Sequence, residues 1–136
     1  MDEARRQTVR RRAQDRCEYC QLRQEHYLLW RHQLEHIVPR KHHGSDDVEN
    51  LALACVRCNL SKSSNLSGID TMTGEVIQLF NPRIQIWKEH FQIVGSLIVG
   101  RTPCGRATVD VLNMNEVERL RLRNQLLENG ELDMLV

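Results

Sequence analysis

The chain has no long apolar run: in 136 residues, nothing approaches the ~18 consecutive apolar positions that a membrane helix requires. Its first residues, Met1-Asp2-Glu3-Ala4-Arg5-Arg6, have no apolar stretch behind their charges. Neither a membrane span nor a secretory leader is therefore expected, and the cytoplasm is the expected location. There is no internal repeat and no low-complexity tract, which sets aside repeat arrays and disordered linkers. Net charge is also scarce, at +1. What remains is the size and composition of one globular unit.

The small net charge conceals a gradient. Residues 1–43 carry ten Lys and Arg against six Asp and Glu, whereas residues 110–136 carry three against six. A polyanion would dock on the basic end, because affinity for nucleic acid rests on basic side chains displacing counterions. The cluster Arg5, Arg6, Arg10, Arg11, Arg12 and Arg16 reads equally as a phosphate-contacting helix and as a solvated helix face.

Five cysteines are present, four of them in two C-x-x-C steps: Cys17 with Cys20 and Cys55 with Cys58. In a reducing compartment that spacing favours a metal over disulfides. Each pair supplies two thiolates from one tight knuckle, and the pairs converge only if the chain between them folds back. Four thiolates fill a tetrahedral zinc site, so this zinc is expected to be structural, and any catalysis must come from other residues. Cys104 is expected to be an ordinary thiol.

The local pattern predicts a helix over residues 3–15, a strand from Tyr27 to Leu34 that delivers Glu35 and His36 at its end, and a short strand Leu51-Ala52-Leu53-Ala54. A short helix is expected from Asn59. Downstream, residues 69–77 read as a hairpin, and residues 83–91 as a short amphipathic helix or turn. A helix starts at Thr102-Pro103, and a last helix opens at Asn115 with Val117, Leu120, Leu122, Leu126 and Leu127 as its apolar positions. The order strand, loop, strand, helix, with metal groups at the seams, outlines a ββα-metal unit.

At this point the sequence resembles the HNH endonuclease family, whose signature is similar to Cys-x-x-Cys, (Asp/Glu)-His-Ile-x-Pro, a Gly-containing loop, Asn-Leu, and Cys-x-x-Cys-Asn-x-x-Lys. Here these are Cys17 to Cys20, Glu35-His36-Ile37-Val38-Pro39, Gly44, Asn50-Leu51, and Cys55 to Lys62. The stretches Leu79 to Arg83 and Thr102 to Val109 also resemble a C-terminal extension of a bacterial, often cyanobacterial, HNH subgroup. The resemblance implies an α+β fold: a ββα-metal core stapled by a four-cysteine zinc site, with flanking helices. It implies a basic N-terminal arm at 1–16, the HNH domain at 17–66 and an extension at 67–136 packed on the core.

It also implies a metal-dependent endonuclease that hydrolyses DNA phosphodiesters. His36 would be the general base, since imidazole is the side chain best suited to take a proton at cellular pH. Glu35 and Asn59 would hold a catalytic Mg²⁺ or Mn²⁺, and Asn50 would hold the loop that orients the base. Lys62 and Arg40, with Arg5, Arg6, Arg10, Arg11 and Arg12, would contact phosphates. Two alternatives stay open. One is a catalytically inactive, zinc-stabilised DNA-binding module. The other is a zinc-ribbon-like protein interaction domain, against which the arginine-rich N-terminus argues.

Overall fold

The computed structural model describes residues 1–133; residues 134–136 of the C-terminal extension lie outside the described residues. The chain forms two compact units, one from residues 1–66 and 81–85, the other from 67–80 and 86–136. The fold is α+β, with three two-stranded antiparallel sheets among the described residues. No helix of those residues is long and apolar enough to cross a membrane.

In the first unit, helix α1 (Glu3–Ala13) begins where the Asp2 carboxylate accepts from the Arg5 N–H at 2.8 Å, a side-chain cap on an otherwise unpaired donor. The helix is almost wholly polar and buries only Val9, against Leu51 and Leu53, with Ala13 and Leu34 beside them. One apolar contact of this size would hold it weakly. Two arginines compensate: Arg12 donates to the carbonyls of Val48 (3.0 Å) and Leu51 (2.7 Å), and Arg10 to that of His32 (2.6 Å).

Strand β1 (Gln33–His36) pairs with β2 (Leu51–Ala54), Gln33 opposite Ala54 and His36 opposite Leu51. All four β2 residues are buried, which suits a continuous apolar run rather than an alternating one. Helix α2 (Val56–Lys62) follows directly, completing β-β-α. Residues 81–85 return to this unit, where Arg83 forms an ion pair with Glu18. Glu18 in turn closes the free side of β2: its N–H donates to Leu53 O and its carboxylate accepts from Leu53 N, both at 2.8 Å.

In the second unit, β3 (Ser67–Ile69) pairs with β4 (Val76–Gln78), and β5 (Phe91–Val94) with β6 (Leu97–Gly100). Around them lie α3 (Trp87–His90), α4 (Pro103–Val111) and α5 (Val117–Glu128). The turn between β3 and β4 is built on the fully buried Asp70, which accepts from Arg106 Nε (2.7 Å) and Nη2 (3.0 Å), Met72 N and Thr73 Oγ1. Phe80, Trp87 and Phe91 form an aromatic core, with Trp87 stacked on Phe91 at 4.9 Å. At the start of α4 a methyl on Gly105 would lie 1.9 Å from His90 O, so only glycine lets this helix approach α3.

Several elements depart from the sequence expectation. The strand from Tyr27 is only β1, because Gln24 takes up the backbone of residues 27–32: its amide donates to Tyr27 O and Trp30 O, and its carbonyl accepts from His32 N. The helix expected from Asn59 starts at Val56, capped by the Cys55 sulfur, which accepts from Cys58 N. Of the short helix or turn expected over 83–91, a single turn forms at Trp87–His90, and Phe91 opens β5 instead. The last helix starts at Val117, because Asn115 spends its side chain bracketing Ile98 N and O on β6. Its buried face holds Leu126 of the expected apolar positions, with Leu120 and Leu122 half-buried, but it also takes in two arginines. Arg119 and Arg123 are buried, donating to the carbonyls of Leu112, Ser96 and Met114, while Val117 is 62% and Leu127 46% exposed.

Candidate functional site

The four cysteines of the two C-x-x-C steps converge. Their sulfurs lie within 4.8 Å of one another, and all four residues are buried. Cys20 Sγ and Cys55 Sγ are 3.7 Å apart, close to the ~3.8 Å edge of a tetrahedron with metal–sulfur bonds of ~2.3 Å. Each knuckle carries an N–H aimed at its first sulfur, Cys20 N to Cys17 and Cys58 N to Cys55, both at 3.4 Å. Such contacts favour thiolate. Burial pushes the Cys17 and Cys58 thiols well up, a cost that a bound cation would offset. Sulfur donors in this geometry place the group to bind a metal ion and suit zinc, and a full four-sulfur shell leaves no position for substrate.

His36 closes β1 and faces the loop that follows. Its Nε2–H donates to Asp46 Oδ1 at 2.8 Å, and Arg40 donates to the same oxygen through Nε (3.2 Å) and Nη2 (3.0 Å). The His36 and Arg40 hydrogen bonds hold the Asp46 carboxyl below its ordinary range. An ionised Asp46 fixes the proton on Nε2 and leaves Nδ1 as the basic nitrogen. Asp46 lies in the loop that the sequence marks only by Gly44, and its role was not foreseen from sequence.

The loop is clamped by Asn50. Its Oδ1 accepts from Val38 N (2.9 Å), and its Nδ2 donates to Val38 O (3.0 Å) and Ser45 O (2.8 Å). A Cβ on Gly44 would lie 1.7 Å from Val38 O and 2.9 Å from Asn50 Nδ2. The glycine is therefore what lets the loop fold onto its own base.

Glu35 points to the other face of β1 and is closed in. Lys62 Nζ lies 2.6 Å from Oε1, Tyr19 Oη donates to Oε2 at 2.7 Å, and the Lys62 and Glu35 side chains are 2% and 3% exposed. Lys62 also donates to His36 O (3.2 Å) and Ile37 O (3.0 Å). The triad ties the first cysteine knuckle, β1 and α2 together. Burial raises the Glu35 carboxyl, and Lys62 and Tyr19 pull it back down.

Two residues sit differently from the sequence expectation. The Lys62 ammonium is engaged inside, on Glu35 and on the carbonyls of His36 and Ile37. Glu35 is not an open metal ligand, because an ammonium and a phenol hold both oxygens in a buried setting. Asn59 donates its amide to Gln33 Oε1, and the pair Glu35 and Asn59 as arranged does not fit a divalent ion.

The basic residues divide into two groups. Arg6 and Arg11 are exposed and Arg5 half-buried, with ion pairs or hydrogen bonds to nearby positions on α1 or its cap. Arg10 and Arg12 are instead committed to backbone carbonyls. Beside His36 a cleft of about 560 Å³ opens, with Arg6, Arg10, Arg31, Arg40 and Trp30 on its walls. Trp30 is 61% exposed, and its position in the cleft was not foreseen from sequence.

Residues 17–65 match the family model described as HNH endonuclease. The Septu protein PtuB of Bacillus thuringiensis is 28% identical over 108 residues, covering 78% of this chain and 39% of that protein. The chain thus spans about two fifths of the length of the curated relative it matches. No solved structure matches the chain.

Proposed function

From the premise that residues 17–65 form an HNH endonuclease domain, we propose that the chain hydrolyses phosphodiester bonds in DNA, with His36 as general base. The observation that carries this reading is the orientation of His36: Asp46 holds its ring by Nε2 at the edge of a cleft walled by arginines. Nδ1 would take a proton from water as that water's oxygen attacks phosphorus. The P–O bond to the departing sugar oxygen breaks, and that oxygen is protonated from solvent. Arg40, Arg31 and Arg6 would offset the charge that develops on the phosphoryl oxygens, which is worth most where donors are preorganised. Asn50 and Gly44 act through the loop, as positioning residues for Asp46. The four cysteines hold a structural zinc that fixes both ends of the β-β-α unit.

A second reading draws on the closed Glu35–Lys62 pair: a zinc-stabilised module that binds DNA without cutting it. Supercoiled plasmid incubated with the zinc-loaded chain, with and without added Mg²⁺ or Mn²⁺, separates the two. Conversion to nicked or linear product supports the hydrolytic reading. A retarded but uncut plasmid supports the binding module, and neither retardation nor cleavage overturns both.

A further inference from the structure

The segment 28–30 presents three large apolar side chains in succession, Leu28 at 89%, Leu29 at 80% and Trp30 at 61% exposure. Exposed singly such residues are ordinary, but three together on one loop mark a binding surface. The loop is also preorganised, since the buttressing by Gln24 at Tyr27 O, Trp30 O and His32 N fixes its backbone before any ligand arrives. Preorganisation lowers the ordering cost of binding.

Trp30 shares its cleft with His36 and with Arg6, Arg10, Arg31 and Arg40, and no acidic side chain lines that cleft. Cations crowd there: burial, and then the neighbouring charge of Arg31, lower the Arg10 guanidinium below its ordinary value. Arg6, Arg10 and Arg40 each pair with an acidic side chain outside the cleft wall, Glu3, Asp15 and Asp46, and with Arg31 they still give the cleft a cationic lining. An aromatic face beside such a lining matches a ligand with a flat ring and an adjacent phosphate.

Resting on the nuclease reading above, we propose that Trp30 is a stacking platform for an unpaired base of the substrate strand, seating the neighbouring phosphate among the arginines against His36. A paired base inside a duplex has both faces covered and cannot use the platform. The substrate class is therefore DNA that is single-stranded or unstacked at the site, as in other proteins that combine a cationic groove with stacking aromatics.

The experiment is a fluorescence titration of the zinc-loaded chain with an oligothymidylate of about 10 nucleotides, without added divalent cation. The chain has two tryptophans, and Trp87 is only 7% exposed, so it contributes a constant background. Stacking quenches Trp30, and Trp30→Ala removes the quench and weakens oligonucleotide binding about 5- to 100-fold, the value of one base–aromatic stack. Inorganic polyphosphate should bind both proteins equally and quench neither, and a blunt duplex should quench less than the single strand.

Unchanged oligonucleotide affinity in Trp30→Ala, or equal quenching by oligonucleotide and polyphosphate, overturns the proposal. So does a change of oligomeric state in DNA-free Trp30→Ala, which would assign the loop to a second copy of the chain. Because the titration needs no cleavage, quenching by a chain that never cuts DNA would refute the hydrolytic reading and leave the platform standing. Cleavage without quenching would do the reverse.

Discussion

Replacing Lys62 by Met leaves the Glu35 carboxylate in a buried site with only the Tyr19 hydroxyl to answer it. Breaking a buried pair from one side costs about 3–5 kcal/mol, because the charge that remains has no partner. Lys62 also serves His36 O and Ile37 O, so the upper half of that range is expected. The loss has a definite pH dependence. Glu35 already lies above its ordinary value through burial, and Lys62 is the largest influence holding it down, so the substitution raises it further. A carboxyl raised in the folded state contributes stability below its unfolded value near ~4.3 and loses it as pH rises through the folded value. The gap between wild type and Lys62→Met should therefore be narrower near pH 5, where the cost of the lost bonds to His36 O and Ile37 O remains, and widen toward pH 8. Urea unfolding of the zinc-loaded proteins at several pH values measures it. In the double variant Glu35→Gln, Lys62→Met neither charge of this pair remains, and most of the loss should be recovered. A gap that stays flat with pH, or a double variant no more stable than the single, would refute the view of this pair as mutually compensating buried charges.

Cys17→Ser and Cys55→Ser should lose the tightly bound metal and unfold cooperatively at lower denaturant, since metal-binding energy is folding energy in a small site. Cys104→Ser should keep about one zinc per chain by elemental analysis, as four other thiolates fill the site. The arginines of α1 should separate into two groups. Combined Arg6→Ala and Arg11→Ala should weaken DNA binding across sequences and flatten its salt dependence by roughly one unit per lost phosphate contact. Arg12→Ala should chiefly lower stability, by about 1–3 kcal/mol, because it strips the donors from Val48 O and Leu51 O. Equal salt slopes in all these variants would mean that α1 takes no part in docking.

How legible each element was depended on how local its cause is. The cysteine knuckles, the Leu51 to Ala54 strand and the Thr102-Pro103 helix start are specified by residues within a few positions of one another, and each was readable. The strand expected from Tyr27 failed because composition signals strand there, while the Gln24 side chain supplies the backbone partners that a neighbouring strand would have given. The β5–β6 hairpin went unread although Gly95-Ser96 between two apolar runs was an available turn signal. In α5 the leucine spacing held for Leu126 but not for Val117 and Leu127, and it gave no sign of the carbonyl groups at Leu112, Ser96 and Met114 that draw Arg119 and Arg123 inward.

At the site, His36 and Asn50 could be singled out because they lie in a compact motif. The engagement of Glu35 by Lys62 and Tyr19 could not, since it depends on three elements meeting in space. Asp46 escaped for a similar reason: nothing in an exposed acidic loop reveals which carboxylate turns back to a histidine ten positions earlier.

In the hydrolytic reading His36 does chemistry rather than binding. The measurement that tests it most directly compares plasmid cleavage by wild type and His36→Ala, with DNA affinity and zinc content recorded on the same preparations. Cleavage should fall at least ~100-fold, the usual worth of a positioned base, while affinity and zinc remain at wild-type levels, because a proton acceptor acts in the transition state and adds little to the ground state. Cleavage by His36→Ala at the wild-type rate would contradict it.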